Sequence, residues 1–456
     1  MRLADLAHAR VAIWGYGREG RAALVVLRKR FPDKPLTLFC SEEEGKSAHA
    51  DVTSSLIVIT TPPDLALLRQ FDIVIKSPGI SAYRAPVPEA RAAGVRFTSG
   101  TALWFAEHRD ARTICVTGTK GKSTVSALIA HILRKSGQCV ALAGNIGLPL
   151  LDLLEPAREP QWWVIELSSF QTRDFDGTPS VAVINNLYEE HLDWHGTREH
   201  YFADKLAIAA SAQALVVNAQ PELLARFAAS PALTVFGDAE AWHVREDGVW
   251  RGGVRILASG EIPLAGRHNA QNVCAALAAL QAAGEDACAL ARHVATFKAL
   301  PHRLQVLGVR DGLEYVNDSI ATTPYATIEA LRAFGERSVG VIVGGFDRGV
   351  DWTPFAEYVA QHPPRVIVAT GANGARIVET LCAIESPGFI LVSAPTLDNA
   401  LTTARTLMPA GGVVLLSPGA PSFDQFKNYA ERGREFARLA GFDPATIAQI
   451  EGLGIA

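Results

Sequence analysis

Short apolar runs rich in valine and isoleucine alternate along the chain with longer stretches of helical periodicity, and glycine-bearing turns separate them. Near the start, Val11-Ala-Ile-Trp14, Leu36-Thr-Leu-Phe39, 71–76 and 94–98 predict strands, with a helix over 21–30. A second series follows at 112–116, 162–167 and Val181-Ala-Val-Ile184, with an apolar helix over 125–133. Residues 237–264 change to short alternating strands with glycine turns, which predicts a small antiparallel patch. An alanine-rich helix over 269–283 leads to a hinge at Pro301-His302-Arg303. A third series of strands is expected at 313–316, 339–343, 365–369, 388–392 and 412–416. Strands interleaved with helices predict largely parallel sheets covered on both faces. The expected architecture is α/β in three domains, 1–99, 100–303 and 304–456.

The turn between the first strand and first helix of the second series carries the clearest chemical signal: Thr117-Gly118-Thr119-Lys120-Gly121-Lys122-Ser123-Thr124. A strand passing through glycines into a helix leaves N–H groups unpaired at the helix start, where the dipole also favours an anion. Gly118 and Gly121 let the backbone close on phosphates, Lys122 adds a point charge, and the Ser123 hydroxyl can ligate magnesium. The spacing departs from G-x4-G-K-S/T, because Val116 holds the place of the first glycine. An ordinary tight turn does not require Gly-Lys-Ser-Thr at a helix entrance, so phosphate binding is expected. The first domain has its own glycine turn, Gly15-Tyr16-Gly17-Arg18-Glu19-Gly20, placed as in a dinucleotide site. There an acid usually ends the next strand and holds a ribose hydroxyl; Cys40 stands in that position and weakens the NAD reading. Ser77-Pro78-Gly79-Ile80 turns at the carboxyl end of the following strand.

Composition narrows the classes. At 456 residues with 48% hydrophobic and 20% charged, the chain can build substantial cores and is not expected to be disordered. A net charge of -4 without a basic tract argues against a nucleic-acid partner. No apolar run approaches the ~20 residues that span a bilayer, and no signal peptide is read, so a cytoplasmic protein without a membrane partner is expected. Six cysteines scattered without C-x-x-C pairs suggest neither a disulfide framework nor zinc.

Glu166, His191 and Lys205 each have an ordinary explanation alone: a helix cap, a satisfied histidine, a solvated lysine. Beside a phosphate loop they form a pattern. Magnesium takes oxygen ligands from one or two carboxylates and substrate phosphates, which Glu166 and Ser123 can complete. In the third domain, Asn317-Asp318-Ser319, Gly344-Gly-Phe-Asp-Arg348 and Ser417-Pro-Gly-Ala-Pro-Ser422-Phe-Asp424 each follow a strand. Three polar loops at strand ends are expected to gather at one edge and form a binding cleft.

Gly118 to Thr124, Gly144-Asn145-Ile-Gly147, Glu166-Leu-Ser-Ser-Phe-Gln171, Glu190-His191, Gly266-Arg-His-Asn269 with Asn272, and Leu300-Pro-His-Arg303 occur in the order found in Mur ligases. The chain resembles that family of three-domain, ATP-dependent amino-acid ligases over essentially its whole length. Ser77-Pro-Gly-Ile80, Asn317-Asp-Ser319 and Asp424-Gln-Phe-Lys-Asn428-(x)3-Arg432-Gly433 are similar to its glutamate-adding type. The resemblance implies a Rossmann-like UDP-substrate domain, a P-loop ATPase-like central domain and a Rossmann-like glutamate-binding domain. It implies a role in peptidoglycan precursor synthesis, and through it in cell shape and division. Gly15, Tyr16, Gly17, Arg18, Ser77 and Gly79 match contacts to the UDP of UDP-N-acetylmuramoyl-L-alanine, and Asn145 a phosphate or substrate contact. Gly118, Thr119, Lys120, Gly121, Lys122, Ser123 and Thr124 match the ATP loop; Asn269, Asn272, Arg303 and Asp318 match further ATP contacts. Ser123, Glu166 and His191 match magnesium ligands, and Lys205 aligns with a lysine that the family carbamylates. Lys122, His191 and Lys205 are the implied catalytic groups; Thr322, Arg348, Ser422 and Tyr429 are those expected at glutamate. ATP, magnesium and small-molecule substrates are thus the expected ligands of a monomer.

The implied reaction activates the UDP-substrate carboxylate as an acyl phosphate, which the glutamate amine then attacks. Departures cluster at the amino-acid loops. Arg348 and Ile320 replace lysines, Tyr429 replaces phenylalanine, and Pro421 enters the loop before Ser422. Such changes favour L-glutamate over D-glutamate, the alternative. An NAD-dependent dehydrogenase would leave the ATP loop idle, and a P-loop kinase would leave phosphate on a product. A non-catalytic nucleotide sensor would be expected to lose Glu166, His191 or Lys205, all of which are present.

Overall fold

The computed structural model describes residues 1–48, 55–447 and 450–456. The β-branched runs become strands of three sheets, and most neighbouring strands are parallel. In the first sheet, β1 (Val11–Trp14), β2 (Leu36–Phe39), β3 (Leu56–Ile59), β4 (Ile73–Lys76) and β5 (Arg96–Thr98) lie in the order β3-β2-β1-β4-β5, all parallel. Chain order reverses direction between β1 and β4, and a ligand crevice is expected at the carboxyl ends of strands at such a point.

The second sheet holds β6 (Thr113–Thr117), β7 (Val140–Gly144), β8 (Trp162–Glu166), β9 (Val181–Ile184), β10 (Ala214–Asn218) and β11 (Leu233–Phe236) in parallel. The expected antiparallel patch is β12 (Trp242–Arg245), β13 (Gly248–Arg251) and β14 (Val254–Ala258), continuous with this sheet at β11. At the other end Gly454–Ile455 pairs antiparallel with β7. Arg134 closes the helix Lys122–Lys135 and holds that segment, donating to the Gly452 and Gly454 carbonyls at 2.6 and 2.8 Å.

The third sheet runs β15-β16-β20-β17-β18-β19, built from β15 (Gln305–Arg310), β16 (Leu313–Asn317), β17 (Val339–Val343), β18 (Val366–Ala369), β19 (Ile390–Ser393) and β20 (Val413–Leu416). Only β15 is antiparallel, joined to β16 by a turn with Asp311 and Gly312 at φ of 51° and 75°. The sequence reading placed β16 but not β15, and likewise omitted β3, β7, β10 and β11.

Contacts divide the chain into two compact units that are discontinuous in sequence. The first comprises 1–261, 271–295 and 452–456; the second comprises 262–270 and 296–451. The chain last crosses between them, before its terminal segment, at Ala295 and Thr296, upstream of the expected hinge. Pro301-His302-Arg303 instead lies within the second unit, where it is tied down. His302 and Leu304 have φ of 62° and 44°, held by His302–Asn317 at 3.0 Å and by Leu304 N–H donating to Asp318 at 3.1 Å. Among the described residues, no helix is long and apolar enough to cross a membrane.

Within the first unit, the cores of the first two sheets merge into one apolar cluster containing Ile13, Trp104, Cys115 and Ile165. Ser99 caps the buried helix Gly100–Glu107 at this junction, its hydroxyl accepting from Ala102 N–H at 3.2 Å. A buried ion pair fastens the same junction. Lys76 closes β4, meets Asp174 at 3.1 Å and donates to the Ile80 carbonyl at 2.8 Å. Removing one partner of such a pair strands the other charge, at a cost of about 3–5 kcal/mol. Asp174→Asn is therefore expected to lower the unfolding free energy by roughly 3 kcal/mol. Lys76→Met combined with Asp174→Leu should recover part of that loss. Urea denaturation followed by tryptophan fluorescence checks both.

Candidate active site

Strand β6 ends at Thr117, and the next four residues turn into the helix Lys122–Lys135. Gly121 caps that helix in a left-handed conformation, φ 78°, and an added Cβ would stand 2.3 Å from the Asn272 amide oxygen. Gly118, at φ 151°, leaves similarly little room against Asn185. The asparagines explain the closeness. Asn185 donates to the Lys120 carbonyl at 2.9 Å and to Asn272 at 3.0 Å, while Asn186 accepts from Lys120 N–H at 2.8 Å. The Thr119 hydroxyl donates to the Tyr188 carbonyl at 3.0 Å and lies 2.8 Å from the Tyr201 hydroxyl. Thr119 thus secures the loop from beneath. Ser123 and Thr124 are buried in the first turn of the helix.

Two lysines converge here on one carbonyl. Lys122 Nζ donates to Gly118 O at 2.9 Å and to Thr119 O at 3.1 Å; Lys205 Nζ donates to the same Gly118 O at 3.0 Å. Lys205, on the helix Arg198–Leu206, is 2% exposed. Burial, and then the Lys122 charge, push its amine well below the usual lysine range, which favours the neutral form.

Glu166 ends β8 beside this loop, in register with Val116 on one side and Gly144 on the other. It is 1% exposed; Oε1 accepts from Asn145 at 2.7 Å, whereas Oε2 has no hydrogen-bond partner. A buried carboxylate oxygen left without a donor is costly unless something positive meets it. His191 opens the helix Leu192–His195 in a left-handed conformation, with its ring exposed and 3.7 Å from Glu190. Partial desolvation, followed by the Lys205 and Lys122 charges, lowers its pKa against the pull of Glu190, leaving a neutral imidazole. Lys120 pairs with Glu190 at 2.6 Å. The described residues contain no ready-made cluster of three His, Cys, Asp or Glu. Any cation at Glu166 would therefore complete its shell with hydroxyl, phosphate or modified-lysine oxygens. The orphaned Oε2, the Ser123 hydroxyl and a neutral imidazole fit a divalent cation of magnesium's type.

The crevice expected in the first sheet is present as a cleft of about 560 Å³ at the ends of β1 to β4. Gly15, Gly17, Arg18, Ser77 and Gly79 line it, with Cys40 at the end of β2. Tyr16 is not among the lining residues; its side chain is 2% exposed and packs in the core. Arg18 donates to the Gly147 carbonyl at 2.9 Å, so this glycine turn meets the turn that carries Asn145. Asn145 itself is bound to Glu166 and lies outside the cleft lining. Glu19, which the sequence reading passed over, also lines the cleft. Burial and then Asp152 push its carboxyl up to about 7, while Gln171 donates to it at 3.2 Å.

In the second unit the three polar loops do gather, because β16, β20 and β17 are adjacent and parallel. Ser417 donates to Asp318 at 2.8 Å, and Phe346 N–H donates to the Pro421 carbonyl at 2.8 Å. Burial pushes the Asp318 carboxyl up to about 7. The fastener is Arg432, 3% exposed, which donates to the carbonyls of Ser319, Ala420 and Pro421 at 2.8, 2.9 and 3.2 Å. Sequence reading had Arg432 only as a motif position. Arg348 is exposed on its loop, and no ion pair to it is formed among the described residues. Thr322 is half-buried, Ser422 buried, and Tyr429 exposed with its ring 5.8 Å from that of His302. Arg303 is half-buried between the left-handed His302 and Leu304. Asn269 belongs to this unit and donates to Ala265 O at 2.7 Å, whereas Asn272 belongs to the first unit.

Residues 116–280 match the Mur ligase middle domain, and residues 302–419 match the Mur ligase glutamate ligase domain. The chain is 50% identical over 469 aligned residues, 100% of both chains, to the UDP-N-acetylmuramoyl-L-alanine–L-glutamate ligase of Xylella fastidiosa. A protein of the same name from a Micromonospora species is 41% identical, with 96% of this chain and 97% of that one covered. In fold it is similar to the UDP-N-acetylmuramate–alanine ligase of Thermotoga maritima, with a TM-score of 0.61, 19% identity, and 95% and 99% of the two chains covered. The chain belongs to the Mur ligase family and is an ATP-dependent, ADP-forming ligase.

Proposed function

We propose that this ligase joins glutamate, the L enantiomer in preference to the D, to UDP-N-acetylmuramoyl-L-alanine. The observation that carries the reading is the placing of a buried Lys205, bonded to Gly118 O, and an orphaned Glu166 oxygen at one phosphate loop. In this reading the 560 Å³ cleft of the first domain holds the UDP end of the substrate, with Gly15, Gly17, Arg18, Ser77 and Gly79 around it. The loop from Gly118 to Thr124 and the residues Asn269, Asn272, Arg303 and Asp318 hold ATP. The gathered loops of the third domain hold glutamate. Every assigned residue comes from one chain, so a monomer suffices, working in the cytoplasm where ATP is available.

Glu166, Ser123 and His191 would hold magnesium, which supplies charge neutralisation to phosphate oxygens when bound. Lys205 would join them as a carbamate. A neutral amine can capture carbon dioxide, whereas an ammonium cannot, and the product offers two anionic oxygens in place of a cation. Lys122 would leave the Gly118 and Thr119 carbonyls to meet the β- and γ-phosphates. The substrate carboxylate then attacks the γ-phosphorus, ADP leaves, and the acyl phosphate is attacked by the neutral amine of glutamate. The tetrahedral intermediate collapses with release of inorganic phosphate. The protein's contribution is positioning and charge placement.

The L preference is supported by Arg348, an exposed guanidinium able to grip a carboxylate through two parallel bonds, where a lysine would act as a point charge. Ile320 removes a second cation, and Pro421 stiffens the neighbouring loop. The printed names of the Xylella and Micromonospora relatives specify L-glutamate, which supports the same choice.

Phosphate release from ATP with UDP-N-acetylmuramoyl-L-alanine, measured separately with each pure enantiomer, is expected to give the higher kcat/KM for L-glutamate. A higher value for D-glutamate would overturn the stereochemical reading and leave the ligase standing. Arg348→Ala should raise the KM for glutamate by about tenfold or more, the equivalent of a lost charged hydrogen bond, with the KM for ATP little changed. Lys205→Ala should lose on the order of 10²–10³ in kcat and regain part of it with added acetate. Wild-type rates in that variant without additive would remove the carbamate. Labelled bicarbonate giving a carbamate resonance lost in Lys205→Ala is the direct check.

A further inference from the structure

The first unit contains a buried serine–histidine–aspartate relay that none of the roles above uses. His195 Nδ1 lies 2.8 Å from Asp204 Oδ2, and its Nε2 lies 3.0 Å from the Ser169 hydroxyl. The other Asp204 oxygen accepts from the Tyr83 hydroxyl at 2.8 Å, with Arg173 at 3.3 Å. Ser169, His195 and Asp204 are 2%, 0% and 5% exposed, which leaves a substrate no approach to the serine. A relay sealed in this way acts as a joint.

Each member stands next to a group of the proposed site. Ser169 begins the one-turn helix Ser169–Thr172, three positions beyond Glu166. His195 ends the helix that His191 opens. Asp204 immediately precedes Lys205, and adjacent helical residues point about 100° apart, so pinning Asp204 sets the direction in which Lys205 projects. Phe170 adds packing, with its ring 5.0 Å from His191 and 4.8 Å from Trp194.

The other side of the joint is the segment leaving the substrate cleft. Gly79, a lining residue, accepts from the Trp194 indole at 3.1 Å. Ser81 donates to the Trp194 carbonyl at 2.6 Å, and Tyr83 reaches Asp204. Three successive odd-numbered positions of one loop are therefore bonded to the two helices that carry His191 and Lys205.

We infer that His195 and Asp204 are positioning residues, and that with Tyr83 they couple occupation of the substrate cleft to the geometry of Glu166, His191 and Lys205. The inference rests on the reading of that cleft as the UDP-substrate site. Loop 79–83 settles when the cleft fills, and the shared hydrogen bonds bring the helices Leu192–His195 and Arg198–Leu206 into one register with the phosphate loop. Filling the cleft then raises affinity for the magnesium nucleotide, and the reverse follows by linkage.

The test is a pair of calorimetric titrations on the full chain. A non-hydrolysable ATP analogue with magnesium is titrated with and without saturating UDP-N-acetylmuramoyl-L-alanine. The wild type is expected to bind the analogue about fivefold or more tightly with the cleft filled, within the usual range of coupling between sites. Tyr83→Phe deletes one hydroxyl and should bring that ratio close to one, with each ligand's separate affinity held within about twofold. His195→Ala should do the same, and His195→Gln, whose amide can replace one bond of the imidazole, should restore part of the ratio. The double variant Tyr83→Phe/His195→Ala should lose no more than the worse single variant, since both act on one connection. In turnover at saturating UDP substrate, the KM for ATP should rise by about the ratio that is lost, roughly fivefold. A lowered melting temperature with an unchanged ratio would make the relay structural only and overturn the inference. So would an absent ratio in a wild type that binds both ligands. A wild type that fails to bind the UDP substrate would instead overturn the reading of the cleft, and the inference with it.

Discussion

Two lysine side chains donating to one carbonyl, that of Gly118, set the electrostatics of the central domain. Charges so close repel by roughly 3 kcal/mol at an effective dielectric near 20, and Lys205 is also cut off from water. Lys205 yields, because it is the more buried of the two and loses more solvation as a cation. Lys122 stands at the start of the helix, the end that favours an anion. Glu166 is buried at the end of β8, in register with Val116 of β6, with one oxygen unpaired. The surplus positive charge at the loop and the unmet acceptor at Glu166 are two halves of one imbalance. In the proposed reading, a bound phosphate and cation meet both.

The same constraint recurs at each sheet in a different form. Parallel strands end on one side, so their loops bring polar groups together without any long-range recognition in the chain. In the first sheet this yields a cleft lined mainly by backbone and small side chains. The second sheet holds its phosphate loop with asparagines from the neighbouring strand end. In the third, a buried arginine ties two of the loops together through the carbonyls of Ser319, Ala420 and Pro421. The buried guanidinium needs no acid partner, because its donors are met by backbone oxygens.

What was legible in the sequence was local. The glycine turn after β6, the glycines lining the cleft and the position of Glu166 at the end of β8 depend on neighbours a few residues away, and each stands in the element expected of it. The omissions have physical reasons. Strand β15 contains Gly308 at φ 144° beside a shift in register, so its alternation is broken, and only Asp311-Gly312 marked the hairpin. Strand β7, Val-Ala-Leu-Ala-Gly, is built of small residues that suit a helix as well as a buried strand. The burial of the Tyr16 side chain was not legible, because a glycine-loop motif says where the backbone turns but not which way its middle side chain faces. The role of Arg432 depends on carbonyls 11 to 113 residues distant, which no periodicity encodes.

In the proposed reading, rigid fastening also limits how this chain selects its amino acid. The loop of Arg348 is tied through Phe346 N–H to Pro421 O, and through Asp347 to Arg376. Pro421 O is in turn held by Arg432. A floppy pocket could accept either enantiomer by moving its loops, at the cost of ordering them on each binding event. A pocket fastened at these points must choose by where its fixed donors stand. Inverting the α-carbon of glutamate exchanges the directions of its amine and one carboxylate. A cation that suits one hand then faces the wrong group in the other. Arg348 without an ion-pair partner, Ile320 without charge and Pro421 without an N–H are changes in fixed donors, and donors are the features that distinguish mirror images of one small acid.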